Sequence, residues 1–455
     1  MSTEPQLQES KMGTMPVNKL LIQMALPMVI SMLVQALYNI VDSIFVGRIS
    51  EDAFTAVSLA FPVQTMLIAL GTGTGVGVNA MLSKALGEKD YKSVNKAAAN
   101  GIFLSLVCTV VFIFLGVFFS EAFFRSQTDN PVIIQHGVEY LSVICTFSIG
   151  VYTELIFERL LQATGRTVHS MIIQLIGAVI NIIMDPIMIF GYFGFPEMGV
   201  TGAAAATVLG QIIAAIVAVI INQKYNKDIH LSFRGFRPDW PVIRRIYAVG
   251  LPSIIMQGIG SVITYCMNLI LISFTSTAAA VLGAYFKLQS FFFMPVFGMN
   301  NAIIPIVAYN YGARRKSRII KTFKLSIIYA TAIMLIGMAA FIFIPDKLLM
   351  IFDASDQMLE IGSHAFRIIS LHFTFAGFCI VSGSVFQALG NGMYSLITSL
   401  GRQVIILLPA AYIFSRLFGL DGVWWAYPCA EIMSAFLCVV MLIKINNKVL
   451  RHLPD

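Results

Sequence analysis

Apolar runs of about 20 residues recur along the whole chain, separated by short polar stretches. A helix of about that length crosses the ~30 Å hydrocarbon core of a bilayer. Backbone groups in lipid must be hydrogen-bonded internally, and the alternation typical of a membrane barrel is missing, so the runs predict α-helices. About twelve helices are predicted, and they start near Val17, Ala53, Val94, Ile133, Arg166, Gly199, Pro241, Ala278, Arg318, Leu359, Gly392 and Leu420.

Composition agrees with this reading of the pattern. Of the 455 residues, 58% are hydrophobic and only 12% are charged, whereas a soluble domain carries about 25% charged residues. The polar first 16 residues show no signal-peptide core or cleavage site, so the first apolar run should remain as a helix. We therefore predict an all-α, multi-pass protein of the cell (inner) membrane.

Basic residues cluster in the C-terminal tail and in the even-numbered loops between the predicted helices, except the short tenth loop (390–392). By the positive-inside rule these loops are cytoplasmic, which places both termini in the cytoplasm. The same loops account for the net charge of +7, so no nucleic-acid partner is expected. The basic residues concerned are Lys84, Lys89, Lys92, Arg159, Arg166, Lys224, Lys227, Arg234, Arg237, Arg244, Arg245, Arg314, Arg315, Lys316, Arg318, Lys321, Lys324, Lys444, Lys448 and Arg451.

The six cysteines all lie within apolar runs and show no metal-ligand spacing. Thiols in such helices act mainly as small hydrophobic groups. We expect neither disulfides nor a zinc site, and no cofactor.

The two halves of the chain match at one constant shift. Pro27 pairs with Pro252 and Gly165 with Gly390, 225 positions later in each case. Six helices per repeat give both halves the same topology, related by a pseudo-two-fold axis along the membrane normal, as in transporters that rock two lobes. The predicted parts are an N-terminal segment (1–16), an N-lobe (17–222), a linker (223–240), a C-lobe (241–446) and a tail (447–455).

Two aspartates interrupt the apolar helices of the first lobe. Asp42 lies in LYNIVDSIFVG and Asp185 in GAVINIIMDPIMIFG. Asn39 precedes the first by three residues and Asn181 precedes the second by four, and either spacing puts amide and carboxylate on one helix face. Charged residues within spans are costly and usually functional.

Counting along the helices places both aspartates in the outer half of the membrane. Thr201, near the outer end of the sixth helix, should lie at a similar height. Carboxylate, amide and hydroxyl oxygens suit Na⁺, and two close carboxylates could instead share a proton. Pro186 should free a carbonyl one turn earlier and kink its helix. The structural alternative is that both aspartates sit near water and only cap or solvate.

Other intramembrane charges are weaker signals. Glu154, on the fourth helix, could attract a cationic substrate. Glu158 is four residues further on, and the simpler expectation is an ion pair with Arg159 or Arg166.

In the second lobe, Arg402 and Glu431 lie at similar depth on consecutive antiparallel helices, which favours a structural ion pair. Lys287 has no obvious partner. His364 and His372 could titrate, although a plain structural role is the simpler reading.

Two further stretches have a membrane interpretation. GTGTGVGVNA (71–80) lacks the strand and Lys-Ser/Thr of a phosphate loop and is read instead as GxxxG-type packing. SFFFMPVFGMN (290–300) could supply an aromatic, Met-rich cavity wall for hydrophobic cations.

At this level of detail the chain resembles the multidrug and toxic compound extrusion (MATE) family, in particular its bacterial MepA-like branch. The resemblance covers essentially the whole chain. It rests on ALPMVISMLVQALYNIVDSIFVGR, LLQATGR, DPIMIFG followed by MGVTGAAAAT, and FQALGNG. It implies a twelve-helix, two-lobed exporter coupled to H⁺ or Na⁺ rather than to ATP.

Matched motif by motif, the resemblance implies a first-lobe cation site at Asp42, Asn181, Asp185 and Thr201, with Pro27 as the hinge of the first helix. The chain departs from the NorM-like branch. Its seventh helix has no acid after Asp239 and its tenth has only Glu360, at the start. Coupling should therefore rest on the first lobe, and a Na⁺ preference cannot be carried over.

The resulting expectation is a secondary antiporter that exports amphipathic cations by alternating access and works as a monomer in the lipid bilayer. A flippase for a lipid-linked precursor is the alternative, although such proteins tend to have a strongly cationic cavity. The predicted substrate cavity comprises Glu154, Gln35, Asn39, Phe61, Gln64, Tyr38 and Met294.

Overall fold

The computed structural model describes residues 10–232, 234–352 and 354–454, which contain no β-strand. Residues 1–9 of the predicted N-terminal segment, Phe233 in the linker and Asp455 in the tail lie outside this description. The α-helices are α1 (Lys11–Thr14), α2 (Val17–Gly47), α3 (Glu51–Gly87), α4 (Tyr91–Phe118), α5 (Ser120–Arg125), α6 (Pro131–Thr146), α7 (Ile149–Ala163), α8 (Thr167–Phe190), α9 (Gly199–Tyr225), α10 (Trp240–Ile272), α11 (Ser276–Gly312), α12 (Lys316–Phe343), α13 (Pro345–Met350), α14 (Asp356–Ile369), α15 (Phe373–Ala388), α16 (Gly392–Leu400) and α17 (Leu408–Lys448).

The prediction of an all-α protein with about twelve spans is confirmed. Within the described residues, ten helical stretches are long and apolar enough to cross a membrane, and α6 and α7 form an eleventh span with a 45° bend. The last stretch, Gly392–His452, is 61 residues long and breaks at Gly419, where φ is +66°. It therefore counts as two spans. Every span starts within three residues of the predicted position.

The helix boundaries repeat at the shift found in the sequence. α3 and α11 each have 37 residues, and they begin at Glu51 and Ser276. α4 and α12 each have 28 residues, beginning at Tyr91 and Lys316. In both pairs the first residues of the two helices are 225 positions apart. The two halves therefore have the same order and length of helices here.

Glycines bring α3 of the first half against α11 of the second at the end that the charge pattern places in the cytoplasm. A Cβ on Gly87 would lie 2.0 Å from the carbonyl oxygen of Tyr309. A Cβ on Gly312 would lie 2.1 Å from that of Lys84. Gly87 and Gly312 are repeat mates, and so are Lys84 and Tyr309. The contact therefore lies on the pseudo-two-fold axis between the lobes.

The glycine-rich stretch of α3 packs on two sides. A Cβ on Gly77 would lie 2.1 Å from the carbonyl oxygen of Ile246 in α10. Gly71 and Gly75 face α7, where a Cβ on Gly75 would lie 2.6 Å from Arg159 Cγ. Close packing was predicted for this stretch, and the alternate spacing of its glycines lets one helix approach both lobes.

The N-terminal segment also touches both lobes. Met12 in α1 is fully buried, and its carbonyl oxygen accepts hydrogen bonds from Asn310 Nδ2 at 3.1 Å and Arg318 Nη2 at 2.9 Å. On the other side, a Cβ on Gly165 would lie 3.1 Å from Lys11 Cε. Burial, with a smaller effect of the Arg166 charge, lowers the pKa of Lys11.

The connection between α9 and α10 is tied to the first half by polar contacts. Asp239 caps α10 through Val242 N and pairs with Lys96 Nζ at 2.8 Å. The hydrogen bond from Lys96 holds the pKa of Asp239 below its usual value. Asp228 accepts from Arg166 Nη2 at 2.8 Å. The basic residues of this region are therefore partly neutralised.

Gly77→Ala should destabilise the contact between α3 and α10, because the new methyl group overlaps a backbone carbonyl that cannot rotate away. Overpacking of this kind costs about 1–3 kcal/mol, so the melting temperature of the purified protein should fall. Gly283→Ala is the matched control, since nothing lies within 4 Å of a Cβ there. A similar drop for both variants would show that close helix approach is not the reason.

Candidate functional site

Asp185 and Asn181 form the centre of a buried polar cluster on α8. Asp185 is fully buried and Asn181 is 3% exposed. Asn181 Nδ2 lies 3.3 Å from Asp185 Oδ1, and with the amide turned over the nitrogen reaches Oδ2 at 3.2 Å while its oxygen faces Thr207 Oγ1. In either orientation the amide joins the carboxylate to Thr207 on α9.

Thr207, rather than Thr201, occupies the position opposite Asn181 because of the register between α8 and α9. A Cβ on Gly202 would lie 2.4 Å from the carbonyl oxygen of Met188, and one on Gly210 would lie 2.8 Å from that of Gly177. Between these two close contacts, antiparallel packing places Thr207 against Asn181.

Thr201 makes no hydrogen bond with Asn181 or Asp185 among the described residues. Its Oγ1 donates to Glu139 Oε2 on α6 at 3.3 Å. Thr201 lies six residues before Thr207, which is about 9 Å along a helix axis. Counting residues from the membrane surface cannot resolve a displacement of that size.

Asp42 approaches the cluster from α2, which packs against α8. Its Oδ1 is buried and has no hydrogen-bond partner within the described residues. Asp185 is fully buried five residues before the end of α8, so this carboxylate does not merely face water, whereas Asp42 is partly exposed.

A cavity in the first lobe opens beside this cluster, with an empty volume of about 710 Å³ including its mouth. Asn181 and Thr207 form part of its wall. Three residues of the predicted substrate cavity, Gln35, Tyr38 and Glu154, line it as well. Asn181 therefore links the buried Asp185 carboxylate to this cavity.

The other four predicted cavity residues do not line this space. Gln64 donates to the hydroxyl of Tyr140 at 2.7 Å. Phe61 is 62% exposed, and Asn39 is also exposed. Met294 lines neither this cavity nor a cavity in the second lobe. Their helices are the expected ones, but their side chains face elsewhere.

Glu158 lines the first-lobe cavity and does not form the ion pair expected for it. Its Oε2 accepts from Gln174 Nε2 at 2.8 Å, whereas Oε1 is buried and unpartnered among the described residues. Arg159 instead donates to Asn301 Oδ1 of α11 at 2.8 Å, across the lobe interface. Arg166 pairs with Asp228. Glu158 thus adds a second carboxylate to the cavity.

The predicted ion pair of the second lobe is confirmed. Arg402 Nη1 lies 3.1 Å from Glu431 Oε2, and Glu431 is 3% exposed. His372 joins this pair, with Nδ1 3.6 Å from Glu431 and Nε2 2.8 Å from the hydroxyl of Tyr285. A plain structural role is thus consistent with the position of His372.

The remaining two charges lie at the periphery. Lys287 is exposed, and its Nζ sits 5.9 Å from the centre of the Phe352 ring, so it does not line the second-lobe cavity. His364 Nε2 lies 3.4 Å from Asp421 Oδ1, with both side chains more than half exposed.

Thr207 and Gln174 are the site residues that the sequence analysis missed. Each is a neutral polar residue, and such residues are common within spans. A helical-face argument could have found Gln174, which lies seven residues before Asn181 and hence on the same face. Thr207 could be identified only from the packing register.

The family of this chain follows from comparison with known proteins. The sequence model of the MatE family matches residues 27–187 and again residues 252–413. The chain belongs to the MatE family. The two matched segments begin 225 positions apart, so each lobe of this MatE protein is one copy of the family's repeat.

The relatives are membrane transporters. The chain is 26% identical over 431 residues to the multidrug export protein MepA of Staphylococcus haemolyticus, with 94% of each chain covered. It is also 26% identical to MepA of Staphylococcus aureus strain NCTC 8325, with 95% of each covered. A solved outward-facing multidrug resistance MATE family transporter is 25% identical, with a TM-score of 0.91 and coverage of 98% and 99%.

The two aspartates of the first lobe have no counterpart at the matching positions of the second lobe of this MatE protein. At the repeat shift of 225, the mates of Asp42 and Asp185 are Met267 and Ala410. The arrangement of helices is thus repeated in the second lobe, whereas the two aspartates are not.

Thr207→Val should slow transport by about fivefold, because it removes a hydrogen bond of about 1 kcal/mol from the Asn181 amide. Thr201→Val is the matched control, since its hydroxyl bonds to Glu139 outside the cluster. Dye transport by purified protein in liposomes measures both. A larger effect of Thr201→Val than of Thr207→Val would restore the depth-based assignment.

Proposed function

We propose that the protein is a secondary active antiporter that exports amphipathic cationic compounds in exchange for H⁺ or Na⁺. The observation that carries this proposal is the connection, through Asn181, of the buried Asp185 carboxylate to a cavity lined by two glutamates. Such a connection allows the occupancy of that carboxylate to affect binding in the cavity. The names of the MepA relatives, as multidrug export proteins, support the direction and the substrate class.

The coupling ion would act on Asp42 and Asp185. Two carboxylates in a low-dielectric interior cannot both remain charged without compensation. A proton shared between them would compensate. A Na⁺ ion bound by carboxylate oxygens, the Asn181 amide oxygen and the Thr207 hydroxyl would do so as well, since these are hard oxygen ligands.

The substrate cation would be attracted by Glu154 and Glu158. Both line the first-lobe cavity, and Oε1 of Glu158 has no protein partner among the described residues. Tyr38 supplies an aromatic face on the same wall, which suits a cation carried on an apolar body. Charge attraction combined with an apolar wall selects for amphipathic cations without demanding one shape.

Movement of the lobes would be transmitted through α2. Pro27 lies inside this helix, and because proline has no N–H, the carbonyl of Gln23 lacks its usual partner. One residue further, the backbone of Met28 lies 2.8 Å from where a Cβ on Gly298 of α11 would be. A bend at Pro27 would therefore move Asp42 relative to the second lobe. This supports Pro27 as the hinge.

The flippase alternative gains no support from the cavities. A lipid pyrophosphate would require several unpaired cations, whereas Glu154 and Glu158 line the first cavity and Arg402 in the second is paired with Glu431. We further propose that the protein works as a monomeric exporter in the cell membrane, with both termini in the cytoplasm.

The proposal predicts that Asp42→Asn and Asp185→Asn abolish gradient-driven efflux. Each change removes the titratable or cation-binding oxygen, so a pH or Na⁺ gradient has nothing to act on, and efflux should fall by more than about tenfold. The measurement is efflux of ethidium from liposomes with the two gradients imposed separately. Loss of response to only one gradient identifies the ion.

Asp421→Asn is the control, because this aspartate is exposed in the second lobe and contacts only His364 among the described residues. Ethidium binding and melting temperature show whether each variant is folded. Wild-type efflux by a folded Asp185→Asn variant under the same gradient would disprove the coupling scheme.

A further inference from the structure

The segment that precedes α2 is hydrogen-bonded to the second lobe, although α2 is the first helix of the first lobe. Arg318 Nη2, in α12, donates to the carbonyl oxygens of Met12 and Met15 at 2.9 and 2.7 Å. Arg315 Nη1, just before α12, donates to the carbonyl oxygen of Gly13. Two arginines of the second lobe therefore hold the backbone of this segment.

The same attachment continues into the first turn of α2. The hydroxyl of Tyr329, also in α12, donates to the side-chain oxygen of Asn18. At the end of α11, Asn310 Nδ2 donates to the Met12 carbonyl oxygen at 3.1 Å. Residues 10–18, the N-terminal strap, are thus fastened to the second lobe from Met12 to Asn18.

On its other side the strap rests on the first lobe. A Cβ on Gly165, in the turn between α7 and α8, would lie 3.5 Å from Met12 Cγ, and Met12 is fully buried. The strap also runs directly into α2, whose outer end packs on α8 through Phe45 and Phe190, with ring centroids 6.5 Å apart. The strap is therefore tethered to the first lobe and hydrogen-bonded to the second.

The repeat contains a second bridge of this kind, in the opposite direction. Residues 236–240 precede α10 and are the repeat mates of residues 11–15. Within them, Asp239 pairs with Lys96 Nζ at 2.8 Å, and its backbone N–H donates to Asn100 Oδ1 at 3.0 Å. Both partners belong to α4, which is the repeat mate of α12. In each half, the segment before the first helix thus crosses to the same helix of the other half.

The chemistry of the two bridges differs. The repeat mate of Arg318 is Ser93, whose hydroxyl donates to Asp90 at 2.6 Å within the first lobe. Arg318 thus serves the N-terminal strap, whereas the other bridge depends on an ion pair. Removing Arg318 weakens one bridge and leaves the contacts of the other in place.

We propose that the N-terminal strap is a latch that keeps the cytoplasmic side closed, with Arg318 as its main fastening. Because the strap is continuous with a first-lobe helix, moving the first lobe away from α12 requires these hydrogen bonds to break. The inference rests on the proposed export function, since alternating access is what requires the two ends to part. From the strap, α2 runs through Pro27 to Asp42, so the latch and the proposed ion site act on one helix.

The test is the distance between spin labels at Lys92 and Ser317, which are exposed repeat mates at the starts of α4 and α12. The labelled protein, in lipid nanodiscs, carries alanine at its six native cysteines. We expect Arg318→Gln to raise the ratio of long to short distances about tenfold, the value of one charge-assisted hydrogen bond. Arg314→Gln is the matched control, because this arginine lies in the same turn, is exposed, and makes no hydrogen bond to the strap among the described residues.

Hydrogen exchange of the backbone amides of residues 10–18 shows in the same samples whether the strap has left α12. Exchange should be faster in Arg318→Gln, and faster still when Arg315→Gln is added. Faster exchange with unchanged distances would overturn the latch, and unchanged exchange in both variants would overturn the role of the two arginines. Absence of ethidium efflux from the wild-type protein would instead count against the proposed function.

Discussion

The cost of placing a carboxylate in a low-dielectric interior is the constraint on which the rest of this structure depends. Asp185 is fully buried in a membrane-spanning helix, and Asp42 has a buried oxygen without a partner among the described residues. Such groups are retained only where neutralisation is available, by a proton, a cation or a partner charge. The second lobe also buries a carboxylate, Glu431, and there the charge is neutralised by an ion pair with Arg402. The second lobe therefore holds an ion pair, whereas neither Asp42 nor Asp185 has a basic partner among the described residues.

Close contacts at glycines join helices of the two lobes. Gly87 and Gly312 meet the opposite lobe at related points on the pseudo-two-fold axis. Gly298 of α11 packs against the backbone of α2 one residue after Pro27. This is the helix that carries Asp42. Since backbone contacts this close leave no room for compensating side-chain movement, a shift of α2 must be accommodated between the lobes.

The sequence was sufficient for the features that depend on periodicity along one helix. Span positions, the repeat, and the pairing of Asn181 with Asp185 follow from apolar run length and the four-residue spacing. Features that depend on two helices were less accessible. Thr201 was predicted beside Asn181 and Asp185 by counting depth, but with the register observed at Gly202 and Gly210 it is Thr207 that contacts Asn181. Glu158 has charged neighbours in sequence, yet its side chain points to Gln174 on α8.

The central claim is that ion occupancy at Asp42 and Asp185 controls how the lobes open. Its most direct test is the distance between spin labels at Phe193 and Ile351, which are exposed residues of opposite lobes on the side that the charge pattern places outside. The account predicts that adding the coupling ion shifts the distance distribution in the otherwise wild-type protein and leaves it unchanged in Asp185→Asn. An equal ion-dependent shift in both proteins would contradict it.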